Sequence, residues 1–282
     1  MKILEIGKVE LASLCYLNKE RYPFLLESVN HNDNNRYSIL FAFPSESIVL
    51  NSLSDFDFLN ELESQYKSSN LNSILPFSGG WFVYLSYELI GQIEPILSGE
   101  LHTSELPIAY AVKIPSAIII DYQSNTTYLI DQDSNQSRID TILTDIELIK
   151  PIPEESILGK LSQENEDKFI CGVNACLDYI VAGDVFQVNL SRQWQYKLTK
   201  EIDSAVIYHA LKKTNPAPFS ALVQYENFSI LSSSPERLLS VQDGVLQTRP
   251  IAGTHPRGEG SEDETQKEDL INHPKEIAEH VM

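Results

Sequence analysis

The sequence predicts an α+β protein in which strands dominate the first 130 residues and helices become frequent after residue 160. Three observations lead to this prediction. Runs rich in β-branched and aromatic residues recur early in the chain and are bounded by Asn, Ser, Gly or Pro. Apolar residues at helical spacing recur later. The composition, 42% hydrophobic and 9% aromatic over 282 residues, is that of a folded protein that can bury a substantial core.

The strand-like runs come first along the chain. They cover residues 36–44, 80–89, 115–122 and 126–132. Between the first two runs, residues 54–68 place Phe58, Leu59 and Leu62 at helical spacing, and Ser54 is the expected N-cap. We therefore expect the first half to form a sheet, with a helix between two of its strands.

A domain boundary is predicted at PIPEES, residues 151–156, which is acidic, punctuated by proline and poor in large apolar residues. The expected regions are 1–150 and 160–282. The elements expected after the boundary are a helix over 165–184 ending at Gly183, a strand over 185–198, a helix over 203–215, short strands over 219–253 with turns at Glu226-Asn227 and Asp243-Gly244, an acidic loop over 258–269, and a helix opening at Pro274.

The charge balance argues against a nucleic-acid partner. The chain has 21 Lys+Arg and 40 Asp+Glu, a formal net charge of −19, whereas proteins that bind phosphate backbones carry basic surfaces. The longest apolar tract, near 109–120, is interrupted by Lys113 and Pro115, and the N-terminus lacks the apolar core of a signal peptide. We therefore expect no membrane partner and a cytoplasmic location.

The three cysteines are Cys15, Cys171 and Cys176. An odd number without a CxxC pair supports neither a disulfide framework nor a zinc site, which favours a reducing compartment. The common motifs for phosphate loops, dinucleotide binding, zinc proteases and serine hydrolases are absent from the sequence.

Four strings in the second half form one constellation: GDVFQVNLSR (183–192), SSSPERLL (232–239), TRPIAGTHPRG (248–258) and KEIAEHVM (275–282). In order and spacing they resemble the chorismate-utilising synthases, the large subunits of anthranilate synthase and aminodeoxychorismate synthase. In the first half, PFLLES (23–28) and GGWFVYLSYELIGQIEP (79–95) are similar to the family's N-terminal stretches. The resemblance implies two antiparallel sheets packed as a sandwich and flanked by helices, with an anthranilate-synthase-component-I-like region followed by a chorismate-binding domain.

Glu276 and Glu279 are three positions apart and share one face of the terminal helix. On spacing alone, a solvated acidic face is the commoner explanation. The resemblance instead implies that the two carboxylates hold Mg²⁺, which would neutralise a carboxylate of chorismate.

The remaining active-site assignments also follow from the resemblance. Glu236 corresponds to a general acid/base that protonates the departing ring hydroxyl, which requires a buried or like-charged environment; paired with Arg237 it would be an ordinary strand-end residue. Ala252, Gly253 and Thr254 would line the substrate pocket, or form an ordinary turn. Gln187 stands where relatives that add water have a lysine base, and because an amide is no base, it favours ammonia as the nucleophile.

Ala252 leaves two reactions open. Some aminodeoxychorismate synthases carry at this position a lysine that bonds to the ring, and alanine cannot do so. PIAGT is also the anthranilate synthase pattern, whereas residues 79–95 look more like aminodeoxychorismate synthase. We expect aminodeoxychorismate synthase component I, in folate and p-aminobenzoate biosynthesis, with anthranilate synthase component I as the alternative.

Two further stretches match those that build a tryptophan effector pocket in the family. They contribute Leu26, Glu27, Ser28, Asn215, Pro216, Pro218 and Phe219. A helix cap at Ser28 and a proline turn at 215–218 explain the same residues without a ligand.

The resemblance also implies a partner, a glutamine amidotransferase subunit that delivers ammonia. Large subunits of the family are longer and carry further catalytic residues after the EHVM string. We therefore expect the sandwich to be incomplete at the C-terminus and the chain to be truncated. The alternative is an inactive fragment that only binds a partner, and its exposed strand edges and apolar faces would cause aggregation.

Overall fold

Antiparallel pairing organises most of the strands of the protein. The computed structural model describes residues 1–30, 35–66, 75–100, 106–242 and 244–282. The strands within these residues are β1 (Lys2–Ile6), β2 (Phe24–Glu27), β3 (Tyr37–Ala42), β4 (Ser47–Leu50), β5 (Gly80–Leu85), β6 (Ala109–Ile114), β7 (Ser116–Asp121), β8 (Thr126–Asp131), β9 (Gly159–Gln163), β10 (Trp194–Leu198), β11 (Phe219–Tyr225), β12 (Phe228–Ser234), β13 (Ser240–Gln242) and β14 (Val245–Gln247).

The helices are distributed between groups of strands. In the described residues they are α1 (Leu11–Leu17), α2 (Phe58–Ser64), α3 (Ile90–Ile93), α4 (Gln136–Leu148), α5 (Glu166–Ala182), α6 (Ser204–Thr214), α7 (Ser261–Asn272) and α8 (Pro274–Val281), with short 3₁₀ turns at Tyr87–Leu89 and Pro95–Glu100. Every one of these helices is too short or too polar to cross a lipid bilayer.

The main sheet has seven strands in the order β1-β8-β7-β3-β2-β11-β12, all antiparallel neighbours. Strands β11 and β12 come from the second half of the chain and extend the sheet formed by the first 131 residues. A small sheet, β4-β6-β5, covers part of one face. Two further antiparallel pairs lie outside both sheets: β9 with β10, which are separated in the chain by α5, and the hairpin of β13 with β14.

Three layers share the buried apolar residues. On one face of the main sheet, Leu40, Ile118 and Leu222 pack with residues of α1, α4 and α6. On the other face, Phe24 stacks on Phe82 of the small sheet, with ring centroids 4.1 Å apart. Strand β7 is apolar on both faces because it lies between the two layers. The expected sandwich of antiparallel sheets flanked by helices is confirmed.

Several element boundaries differ from the sequence prediction. Helix α2 begins after Asp57, whose carboxylate accepts the Asn60 amide, and not after Ser54; the expected end of this helix at 67–68 lies outside the described residues. The strand expected over 185–198 is limited to β10, and the acidic loop expected over 258–269 contains α7. The hairpin turn is found at Glu226, with φ 45°, while Asp243 lies outside the described residues.

Helix α5 has the predicted ends, and most of its apolar residues are exposed. Asn165 caps its first turn and Gly183 ends it in the left-handed conformation, with φ 82°. None of its residues is buried, and Leu177 and Ile180 are 54% and 41% exposed. The apolar face of α5 that contains Leu177 and Ile180 is therefore on the surface of this chain.

Candidate functional site

The turn at Gly253 and Thr254 contacts the first turn of α8. The Thr254 amide donates a hydrogen bond to Glu276 Oε2 at 2.8 Å. A Cβ atom at Gly253 would lie 2.6 Å from the same oxygen and 2.8 Å from Glu276 Cα, closer than side chains approach each other. Glycine is required for this contact, which joins the TRPIAGT and EHVM strings. Ala252, just before the turn, is half-buried.

Glu276 and Glu279 lie together on α8, as their spacing predicted. The Lys275 ammonium lies 3.4 Å from one carboxylate and 3.3 Å from the other. Partial burial acts to raise the pKa of Glu276, but the Thr254 amide and Lys275 outweigh it, and the pKa is lowered. Conversely, hydrogen bonds to Glu279 and Glu276 raise the pKa of Lys275. The face is therefore anionic and carries its own counter-ion.

The two carboxylates suit a magnesium ion. Mg²⁺ commonly takes one or two protein carboxylates, and substrate or water oxygens fill its other positions. No group of three or more His, Cys, Asp or Glu side chains with metal-site geometry occurs in the described residues. The protein donors available for the ion are thus Glu276 and Glu279, and Lys275 competes with it for both.

Glu236 lies in the loop after β12. The Ser234 hydroxyl accepts its amide at 3.2 Å and donates to its carbonyl at 3.0 Å, which fixes the backbone. Its side chain is exposed, so the buried environment expected for an acid is not found in this chain. A pocket of about 240 Å³ brings Glu236 together with Arg237, Arg249 and Ile251. The pocket places Glu236 beside the segment that leads from β14 to the Gly253 turn.

Arg249 was not singled out from the sequence, and Arg237 was named only as an ordinary ion-pair partner of Glu236. Arg237 lies over the Phe219 ring, 5.9 Å from its centroid. Arg249 comes three residues before Ala252. Two guanidinium groups beside Glu236 give this pocket positive charge that can attract an anion, although the chain as a whole is strongly acidic. Both arginines lie inside the recognised strings. Their positive charge in a strongly acidic chain is the feature of the sequence that could have identified them.

Gln187 lies in the exposed segment between α5 and β10. Leu190 of this segment packs against Gly172, where an added Cβ would lie 3.1 Å from its methyl group. Arg192 lies over Trp194, 4.7 Å from the ring centroid. Within the described residues, these contacts hold the segment along α5 and none joins Gln187 to Glu236 or Thr254.

The two effector stretches meet in the main sheet. Strand β2 pairs with β11, so that Glu27 is opposite Ser220 and Leu26 opposite Ala221. The Val29 amide donates to the Ala217 carbonyl at 3.1 Å. The remaining members surround this junction: Asn215 accepts the Ser233 hydroxyl at the end of α6, Pro216 follows it, and Pro218 and Phe219 line the pocket of Glu236.

Glu27 and Ser28 already have partners inside the protein. Glu27 accepts the Tyr208 hydroxyl at 2.8 Å and lies 3.3 Å from the Lys212 ammonium. Burial is the larger cause and the negative charge of Glu27 the next, and both raise the pKa of Tyr208. Burial alone would lower the pKa of Lys212, but Glu27 and Glu10 raise it. Ser28 donates to the Tyr37 carbonyl at 2.9 Å. Tyr208 and Lys212 were not predicted from the sequence, although their i,i+4 spacing on α6 places them on one face of the helix.

Comparison with known proteins gives a consistent picture. A family model described as chorismate binding enzyme matches residues 22–282. The anthranilate synthase component I-like protein of Synechocystis is 31% identical over 263 residues, which are 90% of this chain and 54% of that protein. The aminodeoxychorismate synthase component 1 of Bacillus subtilis is 34% identical over 219 residues, 73% of this chain and 46% of that protein.

The fold has a solved counterpart. The crystal structure of anthranilate synthase component I from Streptococcus pneumoniae aligns with a TM-score of 0.74 at 24% identity, covering 100% of this chain and 66% of the other. The chain therefore spans about half the length of the two curated relatives above and two thirds of the solved protein.

Proposed function

This chain belongs to the chorismate binding enzymes, and we propose that it is the chorismate-aminating component of an aminodeoxychorismate synthase. The observation that carries the proposal is the 2.8 Å hydrogen bond from the Thr254 amide to Glu276. It unites two strings, 22 residues apart in the chain, that the resemblance places around one substrate. The proposed product is 4-amino-4-deoxychorismate.

The chemistry sets the demands on the site. Ammonia bonds to the ring while the ring hydroxyl leaves as water, so the hydroxyl must receive a proton. Glu236 is the proposed donor, and bound chorismate would cover its exposed side chain. Arg237 and Arg249 in the same pocket supply positive charge for a substrate carboxylate. Gln187 is proposed to exclude water as the nucleophile, because its amide cannot remove a proton from it.

Glu276 and Glu279 are the proposed magnesium ligands. When bound, the ion would supply a positive charge that neutralises a carboxylate of chorismate. The chain's own contribution is to fix the Glu276 carboxylate against the Gly253 turn through the Thr254 hydrogen bond. Lys275, which bridges them, must yield to the ion.

A second candidate reaction is that of anthranilate synthase component I. Ala252 favours it, because alanine cannot form the covalent bond that a lysine makes at this position. Relatives with the name anthranilate synthase component 1 also match, including a Lactococcus lactis protein at 29% identity over 311 residues. The same site would serve both reactions, which differ in the ring carbon that receives ammonia.

The proposed partner is a glutamine amidotransferase subunit that generates ammonia. The component names of the relatives support it, since component 1 implies a second component. We also place the reaction in the cytoplasm, a proposal supported by three cysteines with free thiols.

Product analysis tests the proposal. In one arm the chain is incubated with chorismate, Mg²⁺ and ammonium. In the other arm glutamine and an amidotransferase partner replace ammonium. The products are separated by chromatography and identified by mass spectrometry. We expect 4-amino-4-deoxychorismate, lost in Glu236→Gln but retained in Glu63→Gln, an exposed control on α2. Anthranilate in its place selects the second reaction. No loss of chorismate in either arm contradicts both and favours the alternative of a chain that only binds a partner.

A further inference from the structure

A groove of about 800 Å³ opens where the main sheet meets the small sheet. It lies at the end of the β2 and β11 pair where Phe24 is opposite Val223. Glu27, which was predicted to belong to the effector pocket, is opposite Ser220 at the other end of the pair. At the usual rise of a strand, that end is about 10 Å away. None of the residues placed in the chorismate site lines the groove. It is therefore separate from both sites described above.

Fixed aromatic rings form the apolar part of the groove. Phe24 is held by stacking on Phe82. Tyr225 stacks on buried Tyr110, with centroids 4.6 Å apart and planes 15° apart, and Phe228 lies 5.5 Å from Tyr225. The groove thus offers pre-positioned ring faces and edges to a flat apolar group.

A buried amide supplies one unpaired acceptor. Gln224 is 6% exposed and lines the groove. Its Nε2 donates to Ser204 Oγ at 2.7 Å, and its backbone amide donates to the Pro23 carbonyl at 2.8 Å. Its Oε1 has no hydrogen-bond partner among the described residues. Because buried polar atoms are nearly always paired, this oxygen is suited to a donor group on a ligand.

The charge around the groove has one dominant sign. Four carboxylate side chains line it, those of Glu20, Glu201, Asp203 and Glu226, against the single ammonium of Lys19. A pocket with this balance favours a cation over an anion. A cation next to ring faces gains a further attraction from their electron density.

We propose that this groove binds a small aromatic amine in its ammonium form. The ammonium donates to Gln224 Oε1 and is attracted by the surrounding carboxylates, while the ring of the amine packs against Tyr225 and Phe228. The groove is within the size range of small-molecule sites. This binding does not depend on the proposed amination of chorismate.

Isothermal titration with 2-phenylethylamine tests the proposal. We expect saturable binding at one site per chain. Gln224→Met keeps the side-chain length and removes the acceptor, so it should weaken binding at least tenfold. Gln65→Met makes the same replacement at an exposed position on α2's C-terminal end and should leave the affinity unchanged. Phenylacetate, which has the same ring and the opposite charge, should show no saturable binding.

The proposal is overturned if 2-phenylethylamine does not bind saturably, if Gln224→Met binds it as tightly as the unmodified chain, or if phenylacetate binds equally well. Circular dichroism checks that Gln224→Met folds. If it does not, Glu20→Gln replaces it, since this residue is exposed and its loss leaves the core intact. Weakening by several fold then supports the proposal, and an unchanged affinity overturns it.

Discussion

Gly253 is the single residue on which the contact between the two strings depends. A methyl group there would meet the backbone and side chain of Glu276, so the turn and α8 must separate. We expect Gly253→Ala to weaken the affinity for chorismate in the presence of Mg²⁺ on the order of tenfold or more, because small displacements in a site are costly.

The matched control is Gly7→Ala. No atom lies within 4 Å of the position its Cβ would take, so its affinity for chorismate should be unchanged. Isothermal titration of both variants gives the comparison. Equal affinities in Gly253→Ala and the unmodified chain would show that the turn is not part of the site.

Asp121 is a second residue with a measurable signature. It is 2% exposed. Its hydrogen bonds from the Arg36 guanidinium lower its pKa from 3.8 to about 2, and burial opposes them only in part. A carboxyl with a lowered pKa in the folded state stabilises the fold above its ordinary pKa, and this stabilisation is lost as the pH falls toward the folded value.

We therefore expect Asp121→Asn to lower the free energy of unfolding near neutral pH, and the deficit to shrink between pH 3.8 and about 2. Urea unfolding across this range measures it. Asp178→Asn, at an exposed position on α5, should cause no such pH-dependent deficit. A deficit in Asp121→Asn that is constant with pH would contradict the assignment.

At the scale of elements, the sequence predicted those whose signals are local. The strands at 36–44, 115–122 and 126–132 and the ends of α5 agree closely with the structure, because β-branched runs, an Asn cap and a glycine stop act within a few residues. Helix α7 was missed because its composition is acidic and nearly devoid of apolar residues, so it has no periodic face to detect.

The candidate site was predictable only in part. Spacing along one helix suffices to place Glu276 beside Glu279. The contact of Gly253 with Glu276 depends on how a turn approaches a helix, and only the recognised strings indicated it. Tyr208 and Lys212 bond Glu27 through the packing of α6 on β2, a contact across more than 180 residues that local patterns do not contain.

The unburied face of α5 leads to a prediction about stability. Because Leu177 and Ile180 are exposed, Leu177→Gln and Ile180→Gln should change the free energy of unfolding by no more than about 0.5 kcal/mol. Leu14→Ala, in the fully buried core, should cost about 2–5 kcal/mol. Urea unfolding compares the three, and a cost for Leu177→Gln similar to that of Leu14→Ala would show that the face is buried in solution.

The same face is expected to drive self-association. Exposed apolar residues that lie together promote contacts between molecules. The double variant Leu177→Gln/Ile180→Gln should therefore scatter less light at a given concentration than the unmodified chain. Equal scattering would place the source of association elsewhere.

At the scale of the whole molecule, both halves of the chain build one sheet, and Glu236, Gly253 and Glu276 all come after the last of its strands. The seven-stranded sheet ends at β12, and Glu236 comes two residues later. The sheet thus provides a rigid support for residues 235–282. None of the described residues in this range is buried. Substrate binding is expected to order this part of the chain most.

Hydrogen exchange of the chain with and without chorismate and Mg²⁺ tests whether both bind where Thr254 meets Glu276. The account predicts slower exchange in two separate peptides, residues 248–258 and residues 274–282, because the substrate and the ion bind where Thr254 meets Glu276. Unchanged exchange in both peptides, under conditions where chorismate binding is detected, would contradict the account and place the chorismate site elsewhere in the molecule.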